Sequence, residues 1–185
     1  MYIPGLGDSY DGFRRFAMRL WSLHPDITAE VVPMRWSDPH ETYAEKRHRL
    51  QQAIELSNDD RIVLVGESAG GSMAVTMYTE HSMIVRKLVT LCGKNHGEKN
   101  VSPRLYRRNP AFRESLQRAD AAMTALSPAQ RANISTIYSP HDHVVRPADT
   151  RIDGARAYLL GSYGHLPSIV YVLLFRLRLV RTAAS

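Results

Sequence analysis

Short apolar runs alternate along the chain with longer stretches whose apolar residues recur every three or four positions, the pattern of parallel strands joined by helices. The runs at 2–4, 27–34, 61–65, 87–92, 134–139 and 156–160 read as strands. Most are too continuously apolar to leave one face wet, as expected of strands covered on both sides. Between them Phe13, Phe16, Ala17 and Leu20 fall at helical spacing, and Tyr43, Leu50, Ala53 and Ile54 do so in the next segment. Asp38-Pro39-His40-Glu41 predicts the start of that second helix, with a capping Asp, proline at the first position and Glu three residues on. A final helix is predicted from Ser168 to Val180, packed on the sheet rather than serving as a membrane-surface anchor. The whole pattern is that of a single α/β domain over residues 1–185.

The stretch from Gly93 to Arg131 breaks the rhythm. It is about twice the length of the other crossovers and carries eight basic against three acidic residues, so it reads as a crossover enlarged by a short cap. Its arginines, Arg104, Arg107, Arg108, Arg113 and Arg118, are expected on a solvated helix face, with preference for an acidic substrate as the alternative.

Composition narrows the class. At 185 residues, 44% hydrophobic and 23% charged, the chain suits one folded core rather than a disordered segment or fibre. The formal charge of +6 is scattered among acidic residues instead of gathered on one face, which argues against a nucleic-acid surface. Cys92 is the only cysteine and sits in the apolar run KLVTLCG, so it reads as a core residue, and no intramolecular disulfide or thiolate-rich zinc site can form. No secretory leader is recognised at the start and no run approaches the ~18 apolar residues of a membrane span, so the expectation is a cytoplasmic protein without stable membrane insertion.

The chemistry gathers around one motif. The strand ending at Val65 runs straight into Gly66-Glu67-Ser68-Ala69-Gly70-Gly71 and then into a helix-compatible segment, which together form a nucleophile elbow. Glycines two residues either side of Ser68 remove the side chains that would block so tight a turn. At the start of a helix the amide of Ala69 is free to face a developing oxyanion. A serine hydroxyl needs a base and a carboxylate to orient that base. Asp142, in the loop after the strand at 134–139, and His165, in the loop after the next strand, supply them in the order Ser68, Asp142, His165. Asp149 and Asp153 are second choices for the acid. His141, Asp142 and His143 could be read as a metal cluster, but no further ligand is marked in the sequence. The glycine-rich opening Ile3-Pro4-Gly5-Leu6-Gly7 offers the amide of Leu6 as the second oxyanion donor.

These residues resemble the α/β-hydrolase fold superfamily: PGLGDS at the oxyanion loop, GESAGG at the elbow, SPHDHVV at the acid and YGHLPS at the histidine, spread over nearly the whole chain. The sequence begins at the strand that carries the oxyanion loop, so the two leading strands usual in that family have no counterpart, and it has PGLG where larger members have HGGG. The resemblance implies a minimal, mostly parallel sheet of about six strands with helices on both faces, or else a sequence that starts inside a longer chain. It implies a serine hydrolase acting on a carboxylic ester or thioester of a small molecule through an acyl-enzyme, with no metal or organic cofactor. Acyl transfer by the same triad, and a non-catalytic binding protein on the same scaffold, are the two other readings.

Overall fold

Five strands, all parallel and each hydrogen-bonded to the next in chain order, form the sheet of the computed structural model, which describes residues 1–185. The first half of the chain runs β1 (Tyr2–Ile3), α1 (Asp11–Trp21), α2 (Tyr43–Leu56), β2 (Ile62–Glu67), α3 (Gly70–Glu80) and β3 (Val85–Leu91). The second half runs α4 (Pro103–Arg108), α5 (Pro110–Ala125), α6 (Pro128–Ala132), β4 (Ile134–Tyr138), α7 (Pro147–Thr150), β5 (Arg156–Leu159), α8 (His165–Phe175) and α9 (Leu177–Ala183).

Because successive strand residues point to opposite faces, the continuous apolar runs fill two cores at once. Leu64, Leu88 and Ile134 meet Leu50, Met73, Met77 and Leu116 of α2, α3 and α5 on one face. Their neighbours Val65 and Val89, with Ile137, meet Met18, Trp21, Val172 and Leu173 of α1 and α8 on the other. Only β5, the last strand, is largely exposed. Within the long crossover, α5 buries Ala111, Phe112, Leu116 and Ala119, whereas α4 buries nothing.

Four sequence expectations are corrected. The run at 27–34 is not a strand of the sheet. It touches β1 through a single bridge, Tyr2 to Val31, with Tyr2 N–H donating to the Glu30 carbonyl at 2.7 Å and Val32 N–H to the Tyr2 carbonyl at 2.9 Å. β1 is two residues long and Pro33 has no N–H, so the ladder has nothing to extend along. The second helix starts at Thr42, not Asp38. Thr42 and Glu45 satisfy each other's backbone N–H in a capping box, while Asp38 accepts the His40 N–H two residues on and closes a turn. The final helix begins at His165 and breaks at Arg176, whose φ of −124° leaves the helical range.

The fourth correction is to the rotation of α1. Its buried stripe is Asp11, Arg14, Ala17, Met18 and Trp21, leaving Phe16 half exposed. Two polar contacts fix this phase. Trp21 Nε1 donates to the Leu173 carbonyl at 2.8 Å, and Arg14 makes a bidentate pair with Glu67, from Nε to Oε2 at 2.8 Å and from Nη2 to Oε1 at 2.5 Å. Burial works against the Arg14 charge, but its bonds to Glu67 and Asp11 hold its pKa above the ordinary value, so the guanidinium stays charged. Replacing one partner alone strands the other's charge in the core. Arg14→Met is predicted to lose about 3–5 kcal/mol in urea unfolding, and adding Glu67→Gln is predicted to recover part of that loss instead of deepening it.

Candidate active site

The carboxyl ends of parallel strands leave the chain to turn back over the sheet edge, and the tightest of these turns is at Ser68. Its φ of 48° lies in the left-handed region, a conformation that costs a non-glycine residue about 1–3 kcal/mol. The strain is held from three sides. Ser68 N–H donates to the Leu91 carbonyl at 3.1 Å, and the Ser68 carbonyl accepts from the amides of Lys94 at 2.7 Å and Gly71 at 3.0 Å. The backbone of the glycine-rich turn after β1 presses on the nucleophile side: a Cβ on Gly5 would stand 2.6 Å from Ser68 Cβ.

The imidazole of His165, at the first position of α8, bridges the other two candidates. Ser68 Oγ lies 2.8 Å from Nε2, and Asp142 Oδ2 lies 2.6 Å from Nδ1. An ionised carboxylate can only accept, so Nδ1 carries the proton and Nε2 is left to accept from the serine hydroxyl. Asp142 is held in turn by the amides of Val144 and Val145, each donating to Oδ1 at 2.9 Å. Burial opposes its charge, but the bond to His165 and those two amides outweigh it and hold the carboxyl below its usual range.

The two proposed oxyanion donors are also accounted for. Neither the Leu6 nor the Ala69 amide donates to any group of the protein. The carbonyls around Leu6 are taken, Pro4 by Trp36 Nε1 at 2.9 Å, Leu6 by Arg14 Nη2 at 3.3 Å and Gly7 by Arg14 Nη1 at 3.0 Å, which fixes the orientation of the turn's peptide planes.

Neither a protein-family model nor a curated protein matches this sequence. Solved structures do. A structure from work on LipS and LipT, two metagenome-derived lipolytic enzymes, is similar with a TM-score of 0.71 at 14% identity, over 98% of this chain and 91% of that one. An α/β hydrolase enzyme from the metagenome of lagoon sediments at Mar Chica, Morocco, gives 0.60 at 17% identity, over 98% and 88%. A CIB-like hydrolase of Thermoplasma acidophilum gives 0.58 at 16% identity, over 99% and 83%. The chain has the α/β-hydrolase fold.

Within this α/β-hydrolase fold the rival acids have other work. Asp149 is not a partner of the imidazole and accepts from Lys94 Nζ at 2.8 Å, Asn100 Nδ2 at 2.8 Å and Arg146 Nε at 3.2 Å. Because Lys94 also braces Ser68 through its amide, this buried pair ties the loop after β3 to the loop that carries Asp142. Asp153 is exposed in the turn before β5. His141 stacks on Tyr163 with ring centroids 4.1 Å apart and His143 is exposed, so His141, Asp142 and His143 do not converge on a metal.

Three features escaped the sequence reading. Arg14 and Glu67 each occupy a core-facing position among apolar neighbours, a complementary pair of misplaced charges that could have been matched. Cys92 is buried as expected but stands beside the site, its ligand atom within 4.8 Å of those of Asp142 and His165. The register Glu67 to Leu91 sets Cys92 opposite Ser68, and Cys92 repeats its left-handed φ at 45°. Burial, then the nearby Asp142 charge, pushes the thiol up to about 12, so it is a protonated neighbour and a poor metal ligand.

The lowered Asp142 pKa has a consequence for stability. A carboxyl whose folded value lies below the ~3.9 of an unfolded chain stabilises fully above that value and loses its contribution as pH falls through the folded one. The stability gap between wild type and Asp142→Asn is therefore predicted to narrow as pH falls below about pH 4 in urea titrations.

Proposed function

We propose that this protein is a serine hydrolase that cleaves a carboxylic ester or thioester of a small molecule through an acyl-enzyme on Ser68. One observation carries the reading: a single imidazole lies within hydrogen-bond reach of both Ser68 Oγ and Asp142 Oδ2, at 2.8 and 2.6 Å. In this mechanism Ser68 Oγ attacks the carbonyl carbon as its proton passes to His165 Nε2. The carbonyl electron pair moves onto oxygen, where the unpaired amides of Leu6 and Ala69 donate to it. Asp142 stabilises the imidazolium without taking its proton. Collapse of the tetrahedral intermediate returns that proton to the leaving alcohol or thiol. Water, activated by the same imidazole, then releases the acid and restores Ser68.

The buried Arg14–Glu67 and Lys94–Asp149 pairs support the reading, because they fix the turns on either side of Ser68 and so preorganise the donors. The segment 93–131 acts as a short cap in this scheme. Its start is tied to the site by Lys94, and α4 has no fully buried residue, resting only Leu105 and Tyr106 against the core.

A fluorophosphonate probe is expected to label the wild type and to leave Ser68→Ala unlabelled. Against an activated p-nitrophenyl ester, Asp142→Asn is expected to lower kcat by about 10³–10⁴-fold, since Asn at 142 leaves the imidazole in the wrong tautomer. A well-folded wild type that takes no label would overturn the proposal.

A further inference from the structure

The buried stripe of α1 leaves a cleft between the first turns of α1 and α8. Its volume is about 310 Å³, and its walls are Tyr10 and Phe13 on one side and Leu166, Ile169, Val170 and Leu173 on the other. Ser68 and His165 each have a chain neighbour in this lining, and the turn that carries Leu6 packs against it. Glu67 precedes Ser68, Leu166 follows His165, and the Tyr10 ring lies against the amide-bearing turn, where a Cβ on Gly7 would stand 3.0 Å from it.

The charged groups in the wall are already satisfied. Arg14 has five N–H donors, and all five are used, on the Leu6 and Gly7 carbonyls, on Asp11 Oδ1 and on both oxygens of Glu67. Glu67 also accepts from the Tyr2 hydroxyl. No cation remains to recognise a carboxylate or phosphate, so the complementary ligand is neutral and apolar. Tyr10 and Leu166 stay 52% and 49% exposed and leave the cleft an uncovered apolar rim.

The geometry points to an acyl-chain groove: the tail of the substrate lies in the α1–α8 cleft while its carbonyl is held at Ser68. This rests on the serine-hydrolase reading and adds the substrate class to it, an ester or thioester of a medium-length unbranched fatty acid. At ~30 Å³ for a group the size of a water molecule, the cleft takes a tail of roughly eight to ten carbons. Tail burial is far from the reacting bond and strengthens binding of the transition state along with that of the substrate, so it appears in kcat/KM.

The test is a series of p-nitrophenyl esters from acetate to dodecanoate. The expected profile rises by about fourfold in kcat/KM per methylene until the tail fills the cleft, then levels or falls. Val170→Trp, which plugs the groove, is expected to lower the octanoate-to-acetate ratio by tenfold or more, and Val170→Ala to move the optimum to longer tails. Methyl octanoate added to Ser68→Ala is expected to shift the NMR methyl signals of Leu166, Ile169, Val170 and Leu173. If those signals move while wild type turns over no ester, the hydrolase reading falls and the groove stands. The groove is overturned if esters are hydrolysed with a flat profile that Val170→Trp leaves unchanged. It is equally overturned if methyl octanoate leaves those methyls unshifted, including by a second copy of the chain already covering them.

Discussion

The site depends on one constraint, a serine forced into left-handed backbone at the edge of a parallel sheet. At φ 48° Ser68 turns the chain from β2 into α3 without an intervening loop, so the Ser68 hydroxyl and the amide of Ala69 arrive together. That conformation is costly, and it persists because the surrounding backbone leaves no alternative. Gly5 and Gly66 permit approaches that any Cβ would block, the latter 2.8 Å from Ala74 Cβ, while Leu91 at the end of β3 accepts from the turn and Lys94 in the loop beyond donates to it.

Two buried ion pairs brace this turn from opposite faces of the sheet. Arg14–Glu67 binds α1 and the glycine-rich turn to the residue before Ser68, and Lys94–Asp149 binds the residue that braces Ser68 to the acid loop. Neither is an obvious gain in stability, since hydrophobic pairs of equal volume fill cores as well. Both instead place carbonyls and amides at fixed angles, and that orientation is what an electrostatic site requires. Using Arg14 this way also saturates its donors, which leaves the adjoining cleft apolar despite a guanidinium in its wall.

The sheet and the site were legible for different reasons. Strands β2, β3 and β4 announced themselves because burial on both faces favours short runs rich in apolar and β-branched residues, and the short turn around Ser68 demands glycines at fixed offsets. Asp142 and His165 could be picked out because each follows a strand, on the sheet edge where Ser68 lies. What was illegible depended on partners distant in sequence. The rotation of α1 follows from Glu67 and Leu173, so apolar spacing alone chose the wrong stripe. The run at 27–34 has strand composition, but β1 is too short to pair with it. Cys92 came to lie beside the imidazole through register alone.

In the proposed mechanism the hydroxyl of the strained Ser68 itself carries the acyl group. This is tested most directly by acid-quenching the protein during turnover of an activated ester and weighing its tryptic peptides. The peptide 62–86, which contains Ser68, is predicted to gain the mass of the acyl group, and the gain is predicted to vanish in Ser68→Ala. An acyl adduct on another peptide, or undiminished turnover in Ser68→Ala, would contradict it.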